Sequence, residues 1–326
     1  MDQLYVKHED PESSLDLVEI SRSASGPALN MARAIKRASP RSKVHLIGLV
    51  GDDEDGEIIT TDAEKEGLKC NIIKREHRTT ARYTATLEEG KIIKDQFWSG
   101  VIGALTFDEI YSRLPPSLDL IILDASVSGA HMEAMLMTGR LAKIPVLIDG
   151  VTENLTDRYH QKPFDILMPN ISEFLEFLSL AGLDAKDIDW REKTSERSEI
   201  LKKIKPLLRG PSGGKDKLLP KTIMVTLGDK EGVMFIEKSY GEQIQSTVFS
   251  HEYQGDRKQI VSEVGAGDNF KGTLIGKLLA GRTIREAVGW GFIAATDCCH
   301  SVDPAAKCTV ERIDPFKMVK VRSYYD

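Results

Sequence analysis

Apolar residues along the chain follow two alternating patterns, a helical spacing and short continuous runs. The helical spacing predicts helices over residues 28–38, 55–66, 131–141 and 172–181. The continuous runs predict strands over residues 43–50, 118–123, 145–148, 166–168 and 222–226. Because strands buried on both faces read as continuous apolar runs, this alternation predicts an α/β fold, with a doubly wound, mostly parallel central sheet flanked by helices.

Two regions depart from this alternation and predict a second, smaller sheet. Residues 79–86 alternate with a period of two, residues 88–91 form a turn and residues 92–97 continue, which is typical of a hairpin with one solvated face. Residues 4–8 and 15–20 also predict short strands. We expect these strands to form a small β-sheet lid from residues 1–24 and 73–100, and the main α/β domain to span residues 25–72 and 101–326.

One charged segment, residues 184–221, interrupts the main domain as an insertion. It predicts a surface helix over residues 195–204, followed by a loop rich in glycine at 210–215.

Composition narrows the function classes without choosing one. The chain has 326 residues and a net charge of −6, which argues against a general affinity for nucleic acid or anionic membranes. It has no apolar run of membrane-spanning length, and its first ten residues are too acidic for a signal peptide, so we expect a cytoplasmic location. The four cysteines lack C-x-x-C spacing, so we expect reduced thiols and no zinc site.

The most informative segment is Gly265-Ala266-Gly267-Asp268, because apolar residues recur at helical spacing directly after it. Backbone N–H groups at the start of a helix lack partners and favour phosphate. A carboxylate there would repel a bound phosphate, but it would be useful as a base for a hydroxyl that attacks phosphorus. Simple capping by Asp268 is the alternative, and this segment alone leaves both open. A dinucleotide-binding loop fits less well, because the G-x-G-x-x-G spacing is absent.

Four further motifs accompany this loop, and together the five resemble the ribokinase-like (PfkB-type) carbohydrate and nucleoside kinases. In chain order the motifs are residues 25–32, 47–56, 169–173, 225–232 and 265–268. They look like the family's G-G-x-x-x-N-x-A segment, its G-x-D-x-x-G turn, its N-x-x-E motif, its nucleotide-side turn with threonine and glycine, and its anion hole with the catalytic base. The resemblance covers nearly the whole chain and implies ATP-dependent phosphorylation of a hydroxymethyl group.

The resemblance also implies a set of site residues and cofactors. The cofactors are ATP and Mg²⁺, and the partner is a small sugar or nucleoside. The implied residues are Asp268 as base with Gly265, Ala266 and Gly267 as anion hole; Asp2, Gly26 and Asn30 for the substrate; Asn170, Thr226, Gly228 and Gly232 for the nucleotide; and Glu173 for the metal.

Several of these motifs also have plain structural explanations. Asn170 and Glu173 are spaced as in a helix cap, and Thr226 with Gly228 is spaced as in an ordinary turn. The acidic turn with Asp52, Asp53 and Asp55 lacks calcium-loop spacing, so we expect a solvated turn.

The substrate is less well defined than the reaction. Residues 82–91, 103–106 and 123–128 look most like the pseudouridine kinase branch, which implies pseudouridine 5′-phosphate as product. Ribose, fructose, 2-keto-3-deoxygluconate and ordinary nucleosides stay open. Arg82 and Tyr83 would face such a substrate or form an exposed cross-strand pair.

Three departures from the family pattern affect the interpretation. Ser262-Glu263 replaces the usual D-T or D-S pair. In the family a monovalent-cation site is often associated with that pair, so the presence of this site here stays open. Lys271 and Thr273 stand where small residues are usual, so the helix packs differently or Lys271 assists a phosphate.

The third departure lies at the start, where Asp2 takes the place of the substrate aspartate without the preceding strand. That predicts a gap in the central sheet and a frayed substrate ligand. Truncation, a fusion fragment or degeneration would each explain it, so a nucleotide- or sugar-binding relative with impaired catalysis stays open. Exposed lid strands also suggest a homodimer.

Overall fold

The computed structural model describes residues 1–8, 17–88, 91–151, 164–180, 220–228, 232–238, 244–251, 260–301, 315 and 319–324. The chain forms two compact units, Met1–Leu114 with Tyr253–Val319 and Pro115–Glu252 with Lys320–Asp326. The surface helix predicted at 195–204 and the loop predicted at 210–215 lie outside the described residues.

The described residues contain thirteen strands and seven helices. The strands are β1 Asp2–His8, β2 Leu17–Ser23, β3 His45–Gly51, β4 Lys69–Arg75, β5 Arg82–Glu88, β6 Lys91–Trp98, β7 Ile121–Asp124, β8 Val146–Asp149, β9 Ile166–Met168, β10 Thr222–Thr226, β11 Gly232–Lys238, β12 Ile244–His251 and β13 Val319–Tyr324. The helices are α1 Pro27–Ala38, α2 Glu54–Lys65, α3 Phe107–Tyr111, α4 Gly129–Ala142, α5 Ile171–Leu180, α6 Ala266–Leu279 and α7 Ile284–Cys299.

The first unit contains the small sheet that the alternating residues predict, with strand order β2-β1-β5-β6. β1 pairs antiparallel with β2 and parallel with β5, so Asp2 lies in an ordered strand opposite Ser23 and Tyr83. The prediction of a frayed ligand at Asp2 is therefore wrong. Leu4, Ala85 and Leu87 form the buried face of this sheet, and Val264, which directly precedes the loop of residues 265–268, packs against them. That loop is thereby held beside the small sheet by apolar contacts.

A two-stranded parallel sheet of β3 and β4 forms a second layer of the first unit. Helices α1 and α2 cover it, with Leu29 and Ala32 from α1 and Ile59 and Ala63 from α2 in a shared core with Val50. Among the described residues, these two strands belong to no larger sheet.

Two glycines let helices α1 and α6 approach closely. A Cβ atom on Gly272 would lie 2.6 Å from the carbonyl oxygen of Met31, and one on Gly276 would lie 2.8 Å from that of Ile35. Because the glycines are four residues apart, they lie on one face of α6 and follow the surface of α1. This packing brings the start of α6 beside the first turn of α1. Lys271 and Thr273, which stand where small residues are usual, are both buried in α6.

The second unit contains a seven-stranded sheet of order β13-β12-β11-β10-β9-β8-β7. Strands β7 to β10 are parallel, as the continuous apolar runs predict, whereas β10, β11 and β12 pair antiparallel. The sheet is buried on both faces around β8, where all four residues are buried. Among the helices that the structure describes, none is long and apolar enough to cross a membrane.

Candidate active site

The loop of residues 265–268 forms the start of helix α6. Gly265 is the N-cap, with φ of +81°, a left-handed conformation that favours glycine. The first intrahelical hydrogen bond runs from the Asn269 N–H to the Gly265 carbonyl at 3.0 Å. The N–H groups of residues 266–268 therefore lie in the first turn, before the regular hydrogen bonds of the helix begin. The Ala266 N–H bonds to the Glu263 carbonyl at 3.3 Å, and a Cβ atom on Gly267 would meet no atom of the described residues within 4 Å. Among these residues, none covers the helix start at Gly267.

Asp268 lies in this first turn and contacts an amide from α1. The Asn30 Nδ2 donates to Asp268 Oδ2 at 2.9 Å, and the Ser25 hydroxyl donates to Asn30 Oδ1 at 3.1 Å. Asn30 is only 2% exposed and Gly26, the N-cap of α1, has φ of +140°. The structure thus joins the predicted base and a predicted substrate residue, which are 238 positions apart in the chain.

Asp2 belongs to the same cluster through Ser25. The Asp2 side chain is 7% exposed, and its burial raises the pKa of the carboxyl while a hydrogen bond from Ser25 opposes that rise. Asp2, Gly26, Asn30 and Asp268 are therefore brought together in the first unit. The sequence pattern alone did not reveal Ser25 as the residue between them.

The second unit gathers the residues predicted for the nucleotide at the carboxyl ends of β9 and β10. Asn170 forms an isolated parallel bridge with Thr226, whose N–H donates to the Pro169 carbonyl at 3.0 Å. Gly228 follows with φ of +56°, and a Cβ atom there would meet no atom of the described residues within 4 Å. The Gly232 carbonyl accepts from Leu227 N at 3.0 Å. Ligands of open α/β sheets bind at this edge, outside the carboxyl ends of parallel strands.

Asn170 and Glu173 form a reciprocal cap at the start of α5. The Asn170 N–H donates to Glu173 Oε2 at 2.8 Å, and the Glu173 N–H donates to Asn170 Oδ1 at 2.9 Å. This is the capping alternative that the spacing predicts, and it holds both side chains in fixed positions at the helix start.

Gly150 is a neighbour of this pair that sequence reasoning missed. It follows β8 with φ of +85°, and a Cβ atom there would lie 3.6 Å from Glu173 Oε1 and 3.5 Å from the Ala125 Cβ. The sequence signal for Gly150 was the pair Asp149-Gly150, which directly follows the predicted strand of residues 145–148.

The acidic turn was predicted to be solvated, but one of its carboxylates, Asp55, is buried. Asp52 is about half exposed and pairs with Lys74 at 2.6 Å, but Asp53 caps α2 and also accepts the Thr80 N–H at 2.8 Å. Asp55 is 1% exposed, because Arg22 from β2 and Arg82 from β5 bond to its two carboxylate oxygens. Burial alone would raise the pKa of Asp55, but the hydrogen bonds and charges of Arg82 and Arg22 hold that pKa below its usual range.

Arg82 and Tyr83 accordingly have partners within the first unit. Arg82 donates to Asp55 Oδ2 from Nε at 3.2 Å and from its terminal nitrogen at 2.6 Å. The Tyr83 hydroxyl donates to Asp95 Oδ2 at 3.2 Å, and burial, followed by the charge of Asp95, raises the pKa of Tyr83 to about 12. Arg82 therefore connects the small sheet to α2, which neither sequence interpretation of this residue included.

Comparison with solved structures shows the fold class. The chain is similar to a carbohydrate kinase from Agrobacterium tumefaciens, with a TM-score of 0.63 and 19% identity over 98% of this chain and 96% of that one. It is also similar to ribokinase from Cryptococcus neoformans var. grubii in complex with ADP, with a TM-score of 0.69 and 18% identity over 92% and 90% of the two chains. The predicted ribokinase-like α/β fold is confirmed.

Sequence comparison shows the family. Residues 1–303 match the model of the pfkB family carbohydrate kinases, and the chain belongs to that family. Among curated relatives, the bifunctional protein HldE of Actinobacillus succinogenes is 25% identical over 309 residues, which cover 92% of this chain and 58% of that protein. HldE of Proteus mirabilis is 24% identical over 85% of this chain and 53% of that protein. The chain thus spans about half the length of these relatives.

Proposed function

We propose that the protein transfers the γ-phosphoryl group of ATP to a hydroxymethyl group of a sugar or nucleoside. The observation that carries this proposal is the position of Asp268, a carboxylate in the first turn of α6, beside the open backbone of Gly267 and held by Asn30. A helix cap involves only the backbone of its own helix, whereas Asp268 also accepts a hydrogen bond from the buried Asn30 amide of α1. Family membership supports the same reaction class.

In the proposed reaction Asp268 accepts the proton of the attacking hydroxyl. The hydroxyl oxygen forms the new bond to the γ-phosphorus as the bond to the β-phosphate oxygen breaks, and ADP leaves. The N–H groups of Gly265, Ala266 and Gly267 stabilise the negative charge on the transferred oxygens. The Ala266 N–H also serves the Glu263 carbonyl at 3.3 Å, a long bond that a phosphoryl oxygen can replace.

Asp2, Gly26 and Asn30 are proposed to hold the acceptor. A buried carboxylate accepts hydrogen bonds from two neighbouring hydroxyl groups, a common feature of sugars and nucleosides. Gly26 lacks a side chain at a point where the backbone begins α1, so an acceptor can approach the main chain there.

Asn170, Thr226, Gly228 and Gly232 are proposed to bind the nucleotide, and Glu173 with Asn170 to hold Mg²⁺ through its waters. The donor set fits, because magnesium prefers oxygen ligands, keeps several waters and is bound through few carboxylates in phosphate sites. When bound, the ion supplies positive charge to the phosphate oxygens. The cap at α5 fixes the positions from which Glu173 and Asn170 would bind those waters.

For the acceptor we propose pseudouridine first, on the basis of the segments that resemble the pseudouridine kinase branch. Ribose, fructose, 2-keto-3-deoxygluconate and ordinary nucleosides are the other members of the test panel. Uridine is the matched control for pseudouridine, since the two differ in the bond that joins base and ribose.

The test measures ADP release in the presence of ATP, Mg²⁺ and one acceptor at a time, after a thermal-shift screen of the same compounds. Saturable ADP release with one acceptor, together with a phosphorylated product, is the expected result. Binding of ATP and an acceptor without ADP release would instead support the alternative of a binding relative with impaired catalysis.

We also propose that the small sheet closes over the acceptor as a lid.

We propose further that this sheet pairs with the same sheet of a second copy. β6 is an edge strand, and its Phe97 and Trp98 are 61% and 65% exposed, with Ile20 of β2 at 58%. Sedimentation at increasing concentration should show a dimer that Phe97→Glu weakens. A wild-type monomer at all concentrations would contradict this.

A further inference from the structure

Ser25 carries a side chain at a position where the resemblance has glycine. It occupies the first glycine position of the G-G-x-x-x-N-x-A segment, and its hydroxyl is enclosed, with the residue 5% exposed. The hydroxyl donates to Asn30 Oδ1 at 3.1 Å. It therefore bonds directly to the amide that contacts the proposed base.

The direction of these hydrogen bonds determines how the Asn30 amide faces. An asparagine amide has one acceptor oxygen and one donor nitrogen, so a donor at Oδ1 leaves Nδ2 for a different partner. With Ser25 at Oδ1, the nitrogen faces Asp268 and donates to its Oδ2 at 2.9 Å. The opposite orientation would place the amide oxygen against the carboxylate, which is unfavourable because both groups are acceptors.

We infer that Ser25 is a positioning residue that aligns Asp268 through Asn30. The inference rests on the proposed function, because it assigns Ser25 to the alignment of the base in phosphoryl transfer. Ser25 does not touch the reacting atoms itself. Its effect is to hold one orientation of a buried amide, which in turn holds one orientation of the carboxylate.

The closing experiment has one arm that does not depend on activity. In ¹⁵N-labelled protein, hydrogen exchange of the Asn30 side-chain amide, assigned by its absence in Asn30→Ala, reports the bonds of that amide. Ser25→Ala should accelerate this exchange about tenfold, the size expected for one lost buried hydrogen bond. Ser25→Thr, which keeps the hydroxyl, should restore protection. Ser39→Ala is the matched control, because it removes a buried hydroxyl at the opposite end of the same helix, where Ser39 bonds to Ser42.

The second arm measures turnover with an acceptor that the wild-type protein phosphorylates. Ser25→Ala should lower kcat about tenfold with KM for ATP unchanged, and this loss should vanish in the Asn30→Ala background, because Ser25 acts through Asn30. Equal losses in both backgrounds would overturn the inference, as would unchanged amide exchange in Ser25→Ala. If the wild-type protein phosphorylates no acceptor, the proposed function fails while the exchange arm still decides whether Ser25 orients Asn30.

Discussion

A Cβ atom on Gly272 in α6 would lie 2.6 Å from the carbonyl oxygen of Met31 in α1. Met31 follows Asn30, so this close approach helps to set the position of the amide that contacts Asp268. Gly272→Ala should destabilise the protein by about 1–3 kcal/mol, because neither backbone can absorb the added methyl group. It should also lower kcat, because Asn30 moves with α1. Urea unfolding and steady-state kinetics measure both effects.

Gly48→Ala is the matched control for that substitution. In the part of the chain that the structure describes, a Cβ atom on Gly48 in β3 would meet nothing within 4 Å, so the stability of this variant should stay within about 0.5 kcal/mol of wild type. Equal stability of Gly272→Ala and Gly48→Ala would show that the contact between α1 and α6 is not tight.

Asp55 should contribute stability that depends on pH. Its folded pKa is below the unfolded value of about 3.9, so the contribution is present above about pH 4 and is lost as pH falls through the folded pKa. Asp55→Asn should cost about 2 kcal/mol at pH 7, less than for a fully buried pair because both arginine side chains are over one third exposed and can be solvated. Denaturant unfolding at pH 7 and at pH 3 should show that this cost shrinks in acid. A cost that is the same at both pH values would contradict the assignment.

Asp2 should show the opposite dependence on pH. Its folded pKa is raised by burial, so stability is fully present below the unfolded pKa of about 3.9 and is lost as pH rises through the folded pKa. Asp2→Asn should therefore raise the melting temperature at pH 7 and leave it unchanged near pH 3. The same variant should raise KM for the acceptor about 10-fold or more, since it loses hydrogen bonds to a charged group.

Asp62→Asn is the control for Asp2, because Asp62 forms an exposed pair with Lys65 on α2. It should change neither the melting temperature nor KM measurably. Unchanged acceptor KM in Asp2→Asn would remove Asp2 from the proposed substrate site, whatever its effect on stability.

Glu173→Gln separates a metal role from a capping role. Glutamine can take the place of glutamate in a reciprocal cap, so the stability of the variant should stay within about 0.5 kcal/mol of wild type. A glutamine side chain carries no charge for the waters of Mg²⁺, so the Mg²⁺ concentration for half-maximal activity should rise about fivefold or more. A titration of activity with Mg²⁺ at fixed ATP measures this.

The matched control for Glu173→Gln is Glu286→Gln, which changes the same type of cap, with Thr283, at the start of α7. Its Mg²⁺ requirement should equal that of wild type. If the two variants have the same Mg²⁺ dependence, Glu173 is a capping residue only.

The fold could be predicted where a local pattern determines the element. Helix α1 and strand β10 have nearly the bounds that their apolar residues predict. The helix buries one stripe of apolar residues at helical spacing, and the strand is a short continuous apolar run. The sequence interpretation missed strands β11 and β12. Both belong to the antiparallel part of the sheet, and their pairing with β10 and with each other depends on chain topology, which short apolar runs do not reveal.

The site could be predicted as separate motifs but not as a network. Asp268 and Asn170 were found because each belongs to a short pattern at a helix start. The burial of Asp55 could not be found in the same way, since it depends on Arg22 and Arg82 from two strands of the small sheet. The role of Ser25 likewise depends on contacts with residues distant in sequence.

The central claim is that Asp268 is the base for phosphoryl transfer from ATP, and kcat of Asp268→Asn measured by ADP release tests it most directly. The amide has nearly the same shape but cannot accept the proton, so kcat should fall about 10²–10⁴-fold. The melting temperature and the thermal shift with ATP should stay close to those of wild type, and Asp62→Asn should be fully active. Near-wild-type turnover in Asp268→Asn would contradict the account.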